Sequence, residues 1–161
     1  MGRKYVVDTG FQSIGTAAQD LVEILCPADA VMIVHSVNID QTSEYTAAEA
    51  EKLQITYKRA RGSYTSGSGG GSVTPALLEY GDAAAGITAE RNNTTQASAG
   101  SGGLDTLFTD VWDVLASYDF TPIPELRLIF SPSQALVISV SATNDTITTA
   151  RCRVIVEELG G

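Results

Sequence analysis

LDTLFTDVWDVLASYDF (104–120), TPIPELRLIF (121–130), SPSQALVISV (131–140) and TTARCRVIVEE (148–158) decide the fold. Each block alternates apolar with polar residues, and turn signals separate the blocks. Phe108, Trp112, Val114 and Tyr118 share one parity. Leu126, Leu128 and Phe130 follow Pro122 and Pro124, and Leu136, Ile138 and Val140 follow Ser131, Pro132 and Ser133. Ala150, Cys152, Val154 and Val156 close the series. A period of two places alternate side chains on opposite faces of a sheet, so each segment buries one face and wets the other. Such segments in succession predict an all-β protein, an antiparallel sandwich or jelly-roll-like barrel, rather than a nucleotide-binding fold.

Working outward, residues 4–7 read as a short first strand or an arm, and residues 20–26 as a strand ended by Pro27. Val31, Ile33, Val37 and Ile39 predict one apolar face on the longest early strand, with His35 among them. Thr46 with Glu49 three residues on has the pattern of a capping box, and Ala47, Ala48 and Ala50 favour helix. A helical turn or two is therefore expected over 46–53. Leu53, Ile55 and Tyr57 resume alternation up to Arg61, and residues 76–80 predict another short strand. Residues 62–72 centre on Gly67-Ser-Gly-Gly-Gly-Ser72, a composition of high ordering entropy that buries almost nothing. Residues 87–103 read as polar and mostly irregular.

The sum is one domain over 1–161 of about eight strands. Residues 1–10 are expected as an N-terminal arm and 62–73 as a flexible loop, with at most one short helix. A chain of 161 residues buries roughly 70% of its unfolded surface, enough for a core without metal or disulfide support.

The formal net charge of −9 argues against non-specific nucleic-acid binding and against docking on an anionic membrane. Lys58, Arg59 and Arg61 form the one dense basic run, read as the wet end of a strand entering the loop after Gly62. No secretory leader is expected, because Tyr5-Val6-Val7-Asp8 breaks off before a useful apolar stretch. No run approaches the ~20 apolar residues of a membrane helix. Cys26 and Cys152 are too few for a disulfide scaffold; reduced buried thiols are expected, with pairing left open.

Little in the chain converges on chemistry. A single histidine, His35, leaves a His-rich zinc site without ligands, and no Gly-x-Ser-x-Gly elbow accompanies it. The Gly-Ser loop lacks the Gly-Lys-Ser/Thr ending of a phosphate-binding loop. Asp110 and Asp113 fall on opposite faces of a strand, Glu157 and Glu158 likewise diverge, and both pairs read as solvated surface. Asp82, Asp105 and Asp145 are oxygen ligands without EF-type spacing. Catalytic, cofactor and metal residues are therefore all expected to be absent, and the chain reads as a non-enzyme. Trp112, Tyr118 and Phe120 share parity; they read as core or subunit interface, with a carbohydrate-binding stripe as the rival.

Thr74-Pro75, Gly81-Asp82-Ala83-Ala84-Ala85-Gly86 and Asn92-Asn93-Thr94-Thr95 carry a resemblance. Ala17-Ala18-Gln19-Asp20-Leu21, Pro27-Ala28-Asp29-Ala30, Pro122-Ile123-Pro124-Glu125, Ser131-Pro132 and Glu157-Glu158-Leu159-Gly160-Gly161 extend it over nearly the whole length. These motifs resemble a family of small proteins encoded among the structural genes of tailed bacteriophages. The resemblance implies a virion role like that of head decoration (cement) proteins. Such proteins are made in the host cytoplasm and sit, often as trimers, on the outer capsid, where they clamp neighbouring copies of the major capsid protein. On that reading Arg3, Lys4 and Tyr5 are the expected capsid contacts of the arm, and no cofactor is needed. Two rivals are a self-assembling filament or tail-tube subunit, with residues 4–7 as a donor strand, and a carbohydrate-binding surface module, which needs Trp112 exposed.

Overall fold

The computed structural model describes residues 2–43, 51–142 and 148–160, and in these the chain is thirteen β-strands and one 3-10 turn. In order they are β1 (Arg3–Asp8), β2 (Gln12–Ile14), β3 (Gln19–Leu25), β4 (Ala30–Gln41), β5 (Lys52–Arg61), β6 (Gly71–Val73) and β7 (Ala76–Leu77). Then follow β8 (Thr88–Asn93), β9 (Gly103–Asp113), β10 (Tyr118–Phe120), the turn Pro124–Leu126, β11 (Ile129–Phe130), β12 (Ala135–Val140) and β13 (Thr148–Gly160). Sheet A runs β10-β4-β13-β1-β7, with β11 also on β4 and β2 also on β13; sheet B runs β6-β8-β3-β12-β5-β9. Neither sheet closes on itself, so the expected all-β architecture is a sandwich and not a barrel.

Between the sheets, Tyr5, Val7, Val34, Val37, Ile39, Val154 and Val156 of sheet A meet Val22, Ile24, Ile55, Tyr57, Leu136 and Ile138 of sheet B. Each fully buried aliphatic side chain contributes roughly 1.5–3 kcal/mol of transfer free energy. Trp112, Val114 and Tyr118 are buried as their shared parity predicts. The third and fourth members of the closing series, Val154 and Val156, lie deepest.

Several expectations need correction, among them that of residues 87–103 as mostly irregular, since Thr88–Asn93 form β8 between β3 and β6. The face drawn through Val31, Ile33, Val37 and Ile39 is broken at His35. Val34 faces Val156 and Ser36 faces Ile155, so His35 is an extra residue on β4. A bulge of one residue flips the parity, and Met32 and Val34 point inward before it, Val37 and Ile39 after it. Val31 and Ile33 are left on the outer face.

Residues 126–130 are not one strand. Pro122 and Pro124 each lack an N–H and fix φ, so the chain makes a 3-10 turn and only the two residues of β11 pair with β4. Leu126, assigned to the apolar face, is 68% exposed.

Of the two readings of residues 4–7, a first strand or an arm, the strand is the one that holds. Residues 3–8 are β1, hydrogen-bonded to β13 along its whole length and to β7 on its other side. Tyr5 and Val7 are completely buried, because their alternation with Lys4 and Val6 supplies a core face.

Residues 62–73 are mostly exposed, as expected, but they are fastened to sheet B rather than free of it. Ala60, Ala97, Ala135 and Val137 make a second small cluster on the outer face of sheet B, covered by Tyr64 and Leu104. All six residues of β12 are consequently buried. The helical turns expected over 46–53 lie largely outside the described residues, and Lys52 and Leu53 already belong to β5.

Candidate functional surface

Two buried carboxylates build the cover over sheet B. Asp20, on β3, accepts from the Ala97 N–H at 2.6 Å, the Ser139 hydroxyl at 2.6 Å and the Gln96 amide at 3.3 Å. Glu23, three residues on and brought to the same face by the register shift at Leu21, accepts from the Tyr64 hydroxyl and Ser66 hydroxyl at 2.7 Å each and from the Gly67 N–H at 3.0 Å. Burial first, then the hydrogen bond to Glu23, pushes the Tyr64 phenol pKa above its ordinary value. A buried carboxylate needs such donors. These two hold the 62–70 and 94–98 segments against the sheet, and the segments also pair with each other at Thr65–Ser98 and Ser68–Thr95.

The glycines of this loop answer to close approach. A Cβ on Gly70 would stand 1.9 Å from the Arg91 carbonyl oxygen, and one on Gly67 would stand 2.7 Å from the Asn93 amide. Gly70→Ala is therefore expected to cost about 1–3 kcal/mol by forcing the loop off β8. Urea unfolding measures this; an unchanged midpoint would mean that the loop is held elsewhere.

A hollow of about 240 Å³ lies between Gly67–Ser72 and the side chains of Glu90 and Asn93. Asn93 donates to Glu90 at 3.0 Å across it. No group of three or more His, Cys, Asp or Glu able to hold a metal occurs among the described residues.

Glu157 and Glu158 diverge as predicted, but only Glu157 reaches the surface. Glu158 is buried, accepting from the Arg3 guanidinium at 2.8 Å and from the Gly86 and Ile87 N–H groups at 2.9 and 3.0 Å. Glu157 lies outward, 2.8 Å from His35 Nε2 and 3.0 Å from the Gly2 N–H. Partial burial raises the Glu157 pKa, but the His35 and Gly2 hydrogen bonds outweigh it and hold the carboxyl below its ordinary range. Burial likewise raises the Asp40 pKa, but the Arg151 and Ser117 hydrogen bonds outweigh it and hold that carboxyl below its ordinary range.

A depressed carboxyl pKa contributes stability that is present above the unfolded value, near 4.3 for Glu, and lost as pH falls through the folded value. Glu157→Gln is thus expected to reduce the loss of stability between about pH 5 and pH 3. Comparing urea midpoints at the two pH values for both proteins checks it; equal acid sensitivity would remove Glu157 from the account.

The expected contacts Arg3, Lys4 and Tyr5 do not act together. Tyr5 is internal, its hydroxyl donating to the Ala83 carbonyl at 3.0 Å. Arg3 bridges Glu158 and the Gly160 carbonyl. Lys4 alone is exposed.

The aromatic stripe is likewise divided. Trp112 is 1% exposed and its Nε1 donates to the Ala116 carbonyl at 2.8 Å. Tyr118 is buried, donates to Asp110 at 3.1 Å and has its pKa pushed up to about 12, chiefly by burial. Phe120 packs with Tyr57 and Phe108, whose rings stack at 4.3 Å. A glycan platform that depends on an exposed Trp112 has no such residue here. Cys26 and Cys152 are free and buried, and burial raises both thiol pKa values.

The exposed large apolar residues are concentrated at turns and edges. Leu77, Leu78 and Tyr80 follow the β7 edge, Ile123, Leu126 and Ile129 surround the 3-10 turn, and Val111 and Leu115 lie at the end of β9. Sequence periodicity does not mark them, since they lie at strand ends, on outer strand faces and in turns; the proline pair at 122 and 124 was the one local signal. Compared with protein-family models and with curated proteins, the chain matches none.

Proposed function

We propose that this chain is a structural subunit of a tailed-bacteriophage virion, a decoration protein that binds the outer capsid and stabilises contacts between major capsid subunits. The observation that carries the reading is the division of labour between inside and outside. Asp20, Glu23 and Glu158, the buried acids that chemistry would draw on, are occupied in holding loops and strands. The exposed apolar side chains stand at turns and strand ends, where a neighbour is met. A net charge of −9 suits the outside of a DNA-filled shell better than its interior. With Tyr5 internal, the capsid contact falls to exposed turns rather than to an arm.

Co-sedimentation tests the proposal. Purified protein is mixed with empty shells assembled from the major capsid protein encoded in the same genome. Saturable binding at a fixed ratio, with a raised temperature of shell disruption, is the expected result. Shells that pellet without the protein at micromolar concentration would overturn it.

A further inference from the structure

Two exposed apolar surfaces of opposite charge occupy the two lateral edges of sheet A. At one edge β7 leads into a turn where Leu77, Leu78 and Tyr80 are exposed, Tyr80 completely, beside Glu79 and Asp82. The turn is anchored rather than loose. Leu78 N–H donates to the Lys4 carbonyl at 3.0 Å, and Asp82 N–H to the Glu79 carbonyl at 3.4 Å.

At the other edge Ile123, Leu126 and Ile129 are exposed, with Arg127 among them and Arg59 alongside. Arg59 donates to the Ile129 carbonyl at 3.0 Å and lies 5.2 Å over the Phe130 ring. Both guanidinium Nε atoms are shielded from solvent without a hydrogen-bond partner, and neither arginine forms an ion pair among the described residues.

The register sets these surfaces on one row. Leu77 faces Tyr5, Tyr5 faces Val156, Val156 faces Val34, and Val34 N–H donates to the Leu128 carbonyl at 2.9 Å. Four steps of about 4.8 Å separate the ends by roughly 19 Å, so the acidic turn cannot satisfy the arginines of its own chain. A two-fold contact would join each surface to itself and set acid against acid. The surface that complements each edge in charge and in apolar character is the opposite edge of a second copy.

We propose that copies of this chain associate head to tail. Tyr80 and Leu78 of one copy pack on Ile123, Leu126 and Ile129 of the next, and Glu79 and Asp82 face Arg127 and Arg59. The reversed pair also matches in sign, since Lys4 borders the acidic turn and Glu125 the basic one. The exposed tyrosine is the anchor such an interface requires. A heterologous contact closes into a ring where its rotation divides a full turn, as a trimer does, and otherwise grows as a filament. The inference rests on the reading of the chain as an assembly subunit and names its partner surface.

Sedimentation velocity over a range of concentrations tests it on the isolated full chain. The wild type is expected to sediment above the monomer. Glu79→Arg and Arg127→Glu should each weaken association about tenfold or more, and Tyr80→Ser should do the same without altering charge. The double variant E79R/R127E should recover most of the association. Unchanged thermal midpoints establish that each variant is folded. A wild type that stays monomeric, reversals without effect, or a double variant no better than the singles would each overturn the contact. The same proteins added to shells separate the two proposals. Head-to-tail association without shell binding removes the capsid reading and keeps the contact, whereas shell binding by a wild type that stays monomeric in solution removes the contact and keeps the capsid reading.

Discussion

Trp112→Ala is expected to lower the free energy of unfolding by about 3–5 kcal/mol, the range for removing a large aromatic from a packed interior. Trp112 is the largest of the fully buried side chains and pairs across the sheet with buried Leu53. Its indole N–H is bonded to the Ala116 carbonyl, so truncation also strands that acceptor at the turn between β9 and β10. Trp112→Phe keeps much of the volume and loses only the donor, so it should cost a smaller amount, about 1–2 kcal/mol. Urea unfolding followed by circular dichroism measures both. A loss below 1 kcal/mol for the alanine variant would show that the ring is not packed and would restore the glycan-binding reading.

Asp20→Ala should cost about 3 kcal/mol, because a hydrogen bond to a charged group contributes about 1.5–3 kcal/mol and this carboxylate holds three donors. Its loss leaves the buried Ala97 N–H and Ser139 hydroxyl without an acceptor and unfastens the 94–98 segment from β3. The effect has a local signature. Amide exchange at Ala97 should accelerate far more than exchange at Val154, which lies in sheet A. Equal acceleration at both sites would mean global destabilisation, and the idea of a separately fastened cover would fail. Asp20→Asn retains an acceptor and is expected to lose less.

Where the strands would fall was legible because alternation is a local property. Trp112, Val114 and Tyr118, and Ala150 to Val156, show it, and there the buried positions are those the parity names. The reading failed where one residue or one proline changes the outcome. The bulge at His35 has no local signature in the sequence, since an inserted residue is visible only against the partner strand that lacks it. At residues 121–130 the prolines were visible, but the spacing of Leu126, Leu128 and Phe130 imitated a strand that the backbone could not make.

The surface was harder to read than the core. Arg3, Lys4 and Tyr5 look like a charged arm because six residues alone cannot say whether a sheet receives them. β13 and β7 flank them on both sides, and that fact belongs to residues about 150 and 70 positions away. The Gly-Ser run looked like a flexible loop for a related reason. Glycine permits both mobility and close approach, and the Arg91 carbonyl lying against Gly70 selects the second.

By itself the sequence determined the class of the fold, through a period of two that no tertiary contact was needed to see, together with the acidic balance and the scarcity of catalytic residue types. The tertiary structure decided which strands are neighbours, which carboxylates are buried, and which apolar residues remain outside. Those depend on the side chains that meet across sheets and at their edges. Meetings between residues far apart in the chain are set by the total burial and hydrogen bonding of the whole, which no single segment records.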